Sequence, residues 1–160
     1  MLDENTGKFT GKVEADETYI GGAKSGKRGR GASGKTIVAG VVERQAMVSA
    51  SVVPDVKANT LIPMIQDKIF PDSTIFTDEM PSYHRLNRIG FNHQTIHHTQ
   101  RIYVNGDIHT NTIDGFWSLV KRGISGTYHH VSPNFSKNTL MNIHSDTTIG
   151  KMRLRCSYRF

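Results

Sequence analysis

The sequence predicts an α/β fold, a mixed β-sheet with helices on its faces. Two observations predict it. Three consecutive segments near the N-terminus are rich in β-branched or alternating apolar residues, as neighbouring strands are. After them, helical and extended patterns alternate along the chain, which is typical of a sheet covered by helices. The 160 residues allow one domain with a substantial core.

The three strands come first in the chain. Lys12–Ile20 is predicted to be the first strand, and Thr36–Glu43 a buried one, because it is β-branched and apolar. Met47–Val53 alternates apolar and small polar residues and ends at Pro54. Between the first two strands, Gly21–Lys35 is rich in glycine and basic residues, which predicts a loop.

Alternating elements follow. Asn59–Ile69 has apolar residues at helical spacing, and we expect Pro63 in its first turn, where proline is tolerated. The remaining elements are predicted as a strand at Ser73–Asp78, a short helix near Ser82–Asn87, a strand at Gln94–His97 and a helix at Thr112–Arg122.

Three acidic residues lie on these elements: Asp16 in the first strand, Asp78 at the end of another and Asp114 at the start of the last helix. Clustered carboxylates repel each other unless a cation lies among them, and oxygen ligands suit Mg²⁺. Lys121 follows Asp114 by seven positions, about two helical turns, so both project from one face. The pattern predicts a metal site beside a cation that could hold a phosphate.

The charge balance indicates a polyanionic partner. The net charge is +6 and the pI about 9.6. The single cysteine, Cys156, allows no internal disulfide, and no apolar run approaches a membrane span, so we expect a cytoplasmic protein with no membrane partner. The basic loop is either a clamp for the DNA backbone or a solvated charged loop. Its candidate DNA contacts are Lys24, Lys27, Arg28, Arg30 and Lys35.

Several residues have competing interpretations. Asp114 could complete the metal site, or it could form a capping box with Asn111 as N-cap. For Glu17 and Glu79, a salt bridge is the default expectation, and Glu17 should face away from Asp16 on the strand.

The histidines suggest zinc, but structural zinc sites usually recruit cysteines, and none is nearby. His109 could instead touch DNA, as could Lys121 and the adjacent Arg122. We expect Phe116 and Trp117 to anchor the last helix in the core, with stacking of Trp117 on a base as the alternative.

Four segments together resemble the catalytic domain of bacterial insertion-sequence transposases of the DDE superfamily. They read VEADETYIGG at residues 13–22, Thr77-Asp78 with Tyr83 following, HTNTIDGFWSLVKRG at residues 109–123, and GTYHHVS at residues 126–132. The resemblance runs from about residue 11 to about residue 132. It implies a ribonuclease-H-like fold for a catalytic domain at 11–133, and residues 1–10 as the remnant of a longer N-terminal part.

The resemblance also implies a chemistry and a cofactor. Asp16 and Asp78 would bind Mg²⁺, with Mn²⁺ as a substitute, and Asp114 would complete the site. DNA strands would be cut and their 3′ ends transferred by two-metal chemistry. The family usually has glutamate at the third acidic position, and the aspartate here leaves the third ligand open between Asp114 and Asn111.

The pattern changes near residue 134. The family continues with an aromatic and basic amphipathic helix, whereas residues 138–153 are polar and lack helical periodicity. A one-nucleotide change of reading frame, with suitable codons, would restore a family-like helix. We therefore predict that residues 134–160 are a frameshifted, poorly packed tail, and that the chain is a remnant with little transposition of its own.

Two other functions remain open. One is a ribonuclease-H-like nuclease that hydrolyses DNA without joining it, and the other a DNA-binding remnant that binds no metal. DNA would be the partner in each case, in the bacterial cytoplasm close to the nucleoid, with a homo-oligomer as a further option. The sequence leaves the terminal repeats, target preference and oligomeric state undetermined.

Overall fold

The computed structural model describes residues 8–20, 35–96 and 109–127, the last four of these by their backbone only. Two 3₁₀ turns, Pro81–Tyr83 and Asn87–Ile89, lie between the last two strands. The strands and helices are β1 (Lys12–Ile20), β2 (Thr36–Glu43), β3 (Val48–Val53), α1 (Ala58–Lys68), β4 (Thr74–Thr77), β5 (Asn92–Thr95) and α2 (Asn111–Thr127).

The strands form one five-stranded sheet in the order β3-β2-β1-β4-β5. β1, β2 and β3 pair antiparallel as a meander, whereas β4 pairs parallel to β1 and β5 parallel to β4. The predicted class is therefore confirmed: this is a mixed sheet in an α/β fold, consistent with a ribonuclease-H-like domain. β1 lies at the centre of the sheet, with a parallel neighbour on one side and an antiparallel neighbour on the other.

The two helices cover opposite faces of the sheet. α1 packs on one face over a core that includes Val13 and Ala15 of β1. α2 packs on the other face, over Val38 and Val42 of β2. Because side chains alternate along a strand, Glu14 and Asp16 face α2 instead. The α2 residues buried against the sheet are Ile113, Phe116, Trp117 and Val120.

Most element boundaries follow the prediction, and the differences have physical reasons. β1 and β2 match, but α1 begins at Ala58, so Pro63 lies in the second turn rather than the first. Proline has no N–H to donate there, and its exposed position lets water reach the affected turn. The expected short helix is instead the pair of 3₁₀ turns, the second ending at Gly90 with φ +97°, a left-handed conformation that stops helical propagation. β5 begins at Asn92, two residues before the predicted strand.

Several predictions concern residues outside the described ranges. These are the basic loop with Lys24, Lys27, Arg28 and Arg30, the N-terminal segment 1–7 and the predicted tail after residue 134. Lys35 is described, and it lies half-buried just before β2. Within the described ranges, no helix has both the length and the apolar character needed to cross a membrane.

Candidate catalytic site

The pairing of β1 with β4 ends two residues before Asp16 and Asp78. β1 and β4 are adjacent parallel strands, and Glu14 pairs with Phe76. Asp16 lies two residues further along β1, and Asp78 directly follows Thr77, the last residue of β4. Neighbouring strands are about 4.8 Å apart, and residues two positions apart on a strand share a face. Both acids therefore follow the last paired residues of adjacent strands, and the charge of Asp78 contributes to the raised pKa of Asp16, so the two carboxylates lie near each other.

Asp16 is half-buried against α2. Its Oδ2 accepts a hydrogen bond of 3.0 Å from the indole Nε1 of Trp117. Burial raises the pKa of Asp16 from 3.8 to about 6; the Glu17 backbone N–H and the indole oppose the shift, and the charges of Asp78 and Asp114 add to it. The three predicted acids therefore interact electrostatically, and the ionised form of Asp16 is poorly compensated.

Asp78 lies in a turn that directly follows β4. Its Oδ1 accepts the backbone N–H of Met80 at 3.0 Å, and its carbonyl accepts the Thr77 hydroxyl at 2.7 Å. Thr77 Oγ1 also lies 2.8 Å from Nε2 of His93 on β5. Because the one hydroxyl proton of Thr77 is already donated, Nε2 of His93 must be the donor in that contact. The turn that presents Asp78 is thus fixed to the neighbouring strand.

Asp114 is exposed in the first turn of α2, and its Oδ2 accepts the Thr110 hydroxyl at 3.3 Å. Its backbone N–H donates to the Thr110 carbonyl at 3.0 Å, so the capping box with Asn111 does not form. Asn111 is instead the first residue of the helix. Asn111, Lys121 and Arg122 are also exposed, and at 3.6 residues per turn they share the stripe of α2 that carries Asp114.

Glu14 fixes the start of α2 on β1. Its side chain is fully buried, and its Oε2 accepts the backbone N–H of Ile113 at 2.9 Å. Its Oε1 accepts the Thr112 hydroxyl, also at 2.9 Å. A carboxylate in this position satisfies a free N–H of the first turn and complements the positive end of the helix dipole. The strand that carries Asp16 therefore caps the helix that carries Asp114.

Arg44 completes this buried charged cluster. Its Nε donates to Glu14 Oε1 at 2.7 Å, and its Nη2 donates to the His109 carbonyl at 2.8 Å. The guanidinium also lies 4.3 Å from the centre of the Phe76 ring on β4. Arg44 therefore contacts segments leading to all three acids. His109, predicted to touch DNA, has its Nδ1 3.3 Å from Glu14 Oε1 and a side chain only 24% exposed, so its ring faces the cluster.

Glu17 faces away from Asp16, as the alternation of strand residues predicts. Its Oε2 accepts the hydroxyl of Tyr83 at 3.0 Å on the α1 side of the sheet. Burial, followed by the charge of Glu17, raises the pKa of Tyr83 well above its usual value. The tyrosine therefore stays protonated and donates.

The residue types fit a hard divalent cation, because three carboxylates with oxygen ligands are what Mg²⁺ prefers. The raised pKa of Asp16 also indicates a site that a cation would stabilise. Within the ranges that the structure describes, however, no group of three or more His, Cys, Asp or Glu side chains is arranged closely enough to hold a metal ion.

Sequence reasoning missed the residues that support the acids. Glu14 lies between two core residues and two positions before Asp16, and a carboxylate buried there requires a partner. That signal could have singled it out, although not Arg44 as its partner. Trp117 was expected as a core anchor, with base stacking as the alternative. The hydrogen bond from its indole N–H to Asp16 could not be read from the sequence, because it depends on how α2 lies across the sheet.

The mixed sheet, with Asp16 on its central strand, Asp78 just after the adjacent parallel strand and Asp114 on the helix that packs on the sheet, is an α/β fold consistent with a ribonuclease-H-like domain. Comparison with protein families makes the assignment specific. Residues 8–140 match the model of the ISXO2-like transposase domain, and the chain belongs to that family.

A curated relative and the solved structures complete the comparison. The chain is similar to an uncharacterized transposase-like protein of Haemophilus influenzae, with 39% identity over 71 residues. The matched segment covers 44% of this chain and 57% of the relative. No solved structure matches. The predicted membership of an insertion-sequence transposase family is thereby confirmed.

Proposed function

We propose that this domain catalyses metal-dependent cleavage of DNA strands and transfer of their 3′ ends during transposition of an insertion sequence. The observation that carries the proposal is the placement of Asp16 and Asp78, each two positions after the last paired residues of the adjacent parallel strands β1 and β4. α2 covers the face that bears Asp16 and brings Asp114 close enough to raise the pKa of Asp16. The family membership supports a transposase reaction in particular.

In this proposal Asp16, Asp78 and Asp114 hold Mg²⁺ or Mn²⁺, with Asn111 as the rival for the third position. The bound metal would activate water or a 3′-hydroxyl and stabilise the leaving 3′-oxygen. The chain's own part is to keep the acids on one face. Trp117 orients Asp16, the Met80 N–H orients Asp78, and Glu14 fixes the helix that presents Asp114.

DNA would lie along the exposed stripe of α2. Lys121 and Arg122 lie on it beside Asp114, where their charges can hold phosphates next to the acids. Lys35 and the basic residues of the 21–34 segment are further proposed contacts, whereas the ring of His109 faces the Glu14 cluster. The net charge of +6 supports a polyanionic partner.

Metal binding and DNA cleavage by the full chain test the proposal. Calorimetry with Mn²⁺ should show binding that is lost in Asp16→Asn and in Asp78→Asn. Asp67→Asn is the matched control, because it makes the same chemical change on a side chain that is 74% exposed on α1. A chain that binds no divalent metal, or binds it equally well without Asp16, would contradict the proposal.

The DNA substrate should be a plasmid carrying the genomic segments on both sides of the gene, since those would contain the element's ends. Metal-dependent nicks that require Asp16 and Asp78 support cleavage, and joined products support strand transfer. Nicks without joining would favour the nuclease alternative. Efficient joining by the 160-residue chain would contradict the prediction that residues 134–160 are a frameshifted tail.

A further inference from the structure

We propose that Trp117 is a positioning residue for Asp16, and that Gly40 is the residue that makes room for it. The inference rests on the proposed function, because it assumes that Asp16 binds the metal. It assigns to Trp117 a role beyond packing: its indole N–H would set the direction in which the Asp16 carboxylate faces.

The contact between the two side chains is specific. A tryptophan side chain has one hydrogen-bond donor and no acceptor, and Trp117 donates it to Asp16 Oδ2 at 3.0 Å. The ring is 4% exposed and lies in the apolar cluster beneath α2, 4.8 Å from the Phe116 ring between centroids. Its position is therefore set by packing, and a nucleic-acid base has no access for stacking on it.

Gly40 explains how so large a ring fits against the sheet. Gly40 is the β2 partner of Asp16 in the antiparallel register. A Cβ built on Gly40 would lie 2.7 Å from Cζ2 and 2.8 Å from Cη2 of Trp117, closer than carbon atoms can approach. Glycine inside a strand weakens it. The bare backbone at this point accommodates the indole that holds Asp16.

Trp117, which supports the proposed metal ligand Asp16, lies on a helix and is therefore held by a rigid element. Hydrogen-bond partners of metal-binding residues fix their orientation, and losing one typically weakens metal affinity about 10- to 100-fold. Trp117 lies one helical turn after Asp114 on α2, so the same contact ties the helix bearing the third acid to the strand bearing the first. A side chain added at Gly40 would therefore displace the Trp117 indole, and with it the carboxylate of Asp16.

Trp117→Phe is the direct test, because it keeps an aromatic ring in the cluster and removes only the indole donor. We expect the Mn²⁺ affinity measured by calorimetry to fall about 10- to 100-fold. Gly40→Ala is the second variant; it keeps Trp117 and displaces its ring, and the affinity should again fall. Val48→Ala is the matched control, because it truncates the same apolar cluster on the edge strand β3, and its metal affinity should stay unchanged. Urea unfolding of each variant shows that the folded protein is being titrated.

Fluorescence gives an independent measurement. Trp117 is the only tryptophan of the 160 residues, so emission from the chain reports on the ring beside Asp16. Mn²⁺ should quench the emission of the wild-type protein with the midpoint found by calorimetry, and the Gly40→Ala midpoint should move to higher Mn²⁺ concentration.

The outcomes separate this inference from the proposed function. If the wild-type protein binds no Mn²⁺, the proposed metal function fails and the inference fails with it. If the wild-type protein binds Mn²⁺ and Asp16→Asn does not, but folded Trp117→Phe and Gly40→Ala bind as tightly as the wild type, the proposed function stands and the positioning role is refuted. An affinity loss in Val48→Ala equal to that in Trp117→Phe would also refute it, because the effect would then follow general loosening of the cluster.

Discussion

The Glu14 carboxylate accepts the backbone N–H of Ile113 at 2.9 Å, so a central strand supplies the cap of a helix 99 positions away in the chain. The same carboxylate forms an ion pair with Arg44 at 2.7 Å, and its side chain is fully buried. A buried charge is tolerated only when its lone pairs are used and its charge is balanced. Glu14 meets both conditions. Its hydrogen bonds hold α2, which bears Asp114, against β1, which bears Asp16.

Breaking this pair should strongly destabilise the fold. Glu14→Gln keeps the shape but turns one oxygen into a donor that faces either Arg44 or the Ile113 N–H. We expect a loss of about 3–5 kcal/mol in the free energy of unfolding, measured in urea, because a buried charge loses its partner. Asp67→Asn removes one member of the exposed Asp67–Lys68 pair and should leave stability nearly unchanged.

A double variant separates the stability of the pair from its positioning role. Glu14→Leu with Arg44→Met replaces the ion pair by apolar groups, which is often neutral for stability or even favourable. We expect the double variant to be more stable than Glu14→Gln, yet to bind Mn²⁺ more weakly than the wild type because α2 has lost its cap. Equal metal affinity in the double variant and the wild type would show that Glu14 serves stability alone.

The raised pKa of Asp16 predicts that the metal-free protein becomes less stable as the pH rises and Asp16 ionises. The pKa is about 6 in the folded protein and 3.8 in the unfolded chain, so the folded state binds the proton more tightly. The stabilisation by neutral Asp16 is complete below pH 3.8 and is lost as the pH rises through 6. Asp16→Asn stays neutral, so in EDTA it should gain stability over the wild type as the pH rises, by at most about 3 kcal/mol.

Urea unfolding of both proteins between pH 3.5 and pH 8 would measure this difference. Adding Mg²⁺ should stabilise the wild-type protein at pH 8 and leave Asp16→Asn nearly unaffected, because binding to the folded state alone raises stability. A difference in stability that does not change with pH would show that burial does not hold the Asp16 pKa up.

The sequence predicted those parts of the fold that depend on local pattern. β1 and β2 were placed correctly because β2 is a long β-branched, apolar run and both strands adjoin the glycine-rich, basic segment between them. The short elements between β4 and β5 were not, because a 3₁₀ turn and a short helix share the same local pattern and differ in how the backbone packs. The start of β5 was predicted two residues too late because Asn92 and His93 are polar. Their place in the sheet follows from pairing with β4.

The residues of the candidate site also fall into those that the sequence could predict and those that it could not. The acids could be singled out because three carboxylates on predicted element ends make a recognisable pattern. Glu14 could have been noticed as a carboxylate between core residues, but the roles of Arg44 and Trp117 could not, because they depend on contacts between elements far apart in the chain. Such contacts depend on the register of β1 against β4 and on the angle of α2, neither of which local periodicity determines.

His93 should make the protein less stable in mild acid. Burial, and then the charge of nearby His84, lowers the pKa of His93 below its usual 6.5. Its stabilising effect is therefore complete above pH 6.5 and is lost as the pH falls through the lower folded-state pKa, because the unfolded chain takes up the proton first. His93→Gln keeps a neutral donor for Thr77, so its stability should fall less steeply than that of the wild type between pH 7 and pH 5. Parallel curves from urea unfolding would contradict this prediction.

DNA binding should depend on Lys121 through its charge. Lys121 is exposed on the stripe of α2 that bears Asp114, and each phosphate contact that is lost should reduce the slope of log affinity against log salt by about 1. Lys121→Gln should therefore weaken binding to duplex DNA of any sequence and lower that slope, measured by fluorescence anisotropy from 50 to 200 mM salt. Lys57→Gln is the matched control, because Lys57 is equally exposed but lies at the start of α1, on the opposite face of the sheet.

The basic segment between β1 and β2 can be tested in the same assay. Replacing Lys27, Arg28 and Arg30 together by glutamine removes three positive charges, and a DNA clamp would lose up to three phosphate contacts. We expect the salt slope to fall by more than it does in Lys121→Gln, with the largest loss of affinity at low salt, where counterion release contributes most. A slope equal to that of the wild type would identify the segment as a solvated charged loop. If Lys121→Gln still lowered the slope, DNA binding would then be assigned to the α2 stripe alone.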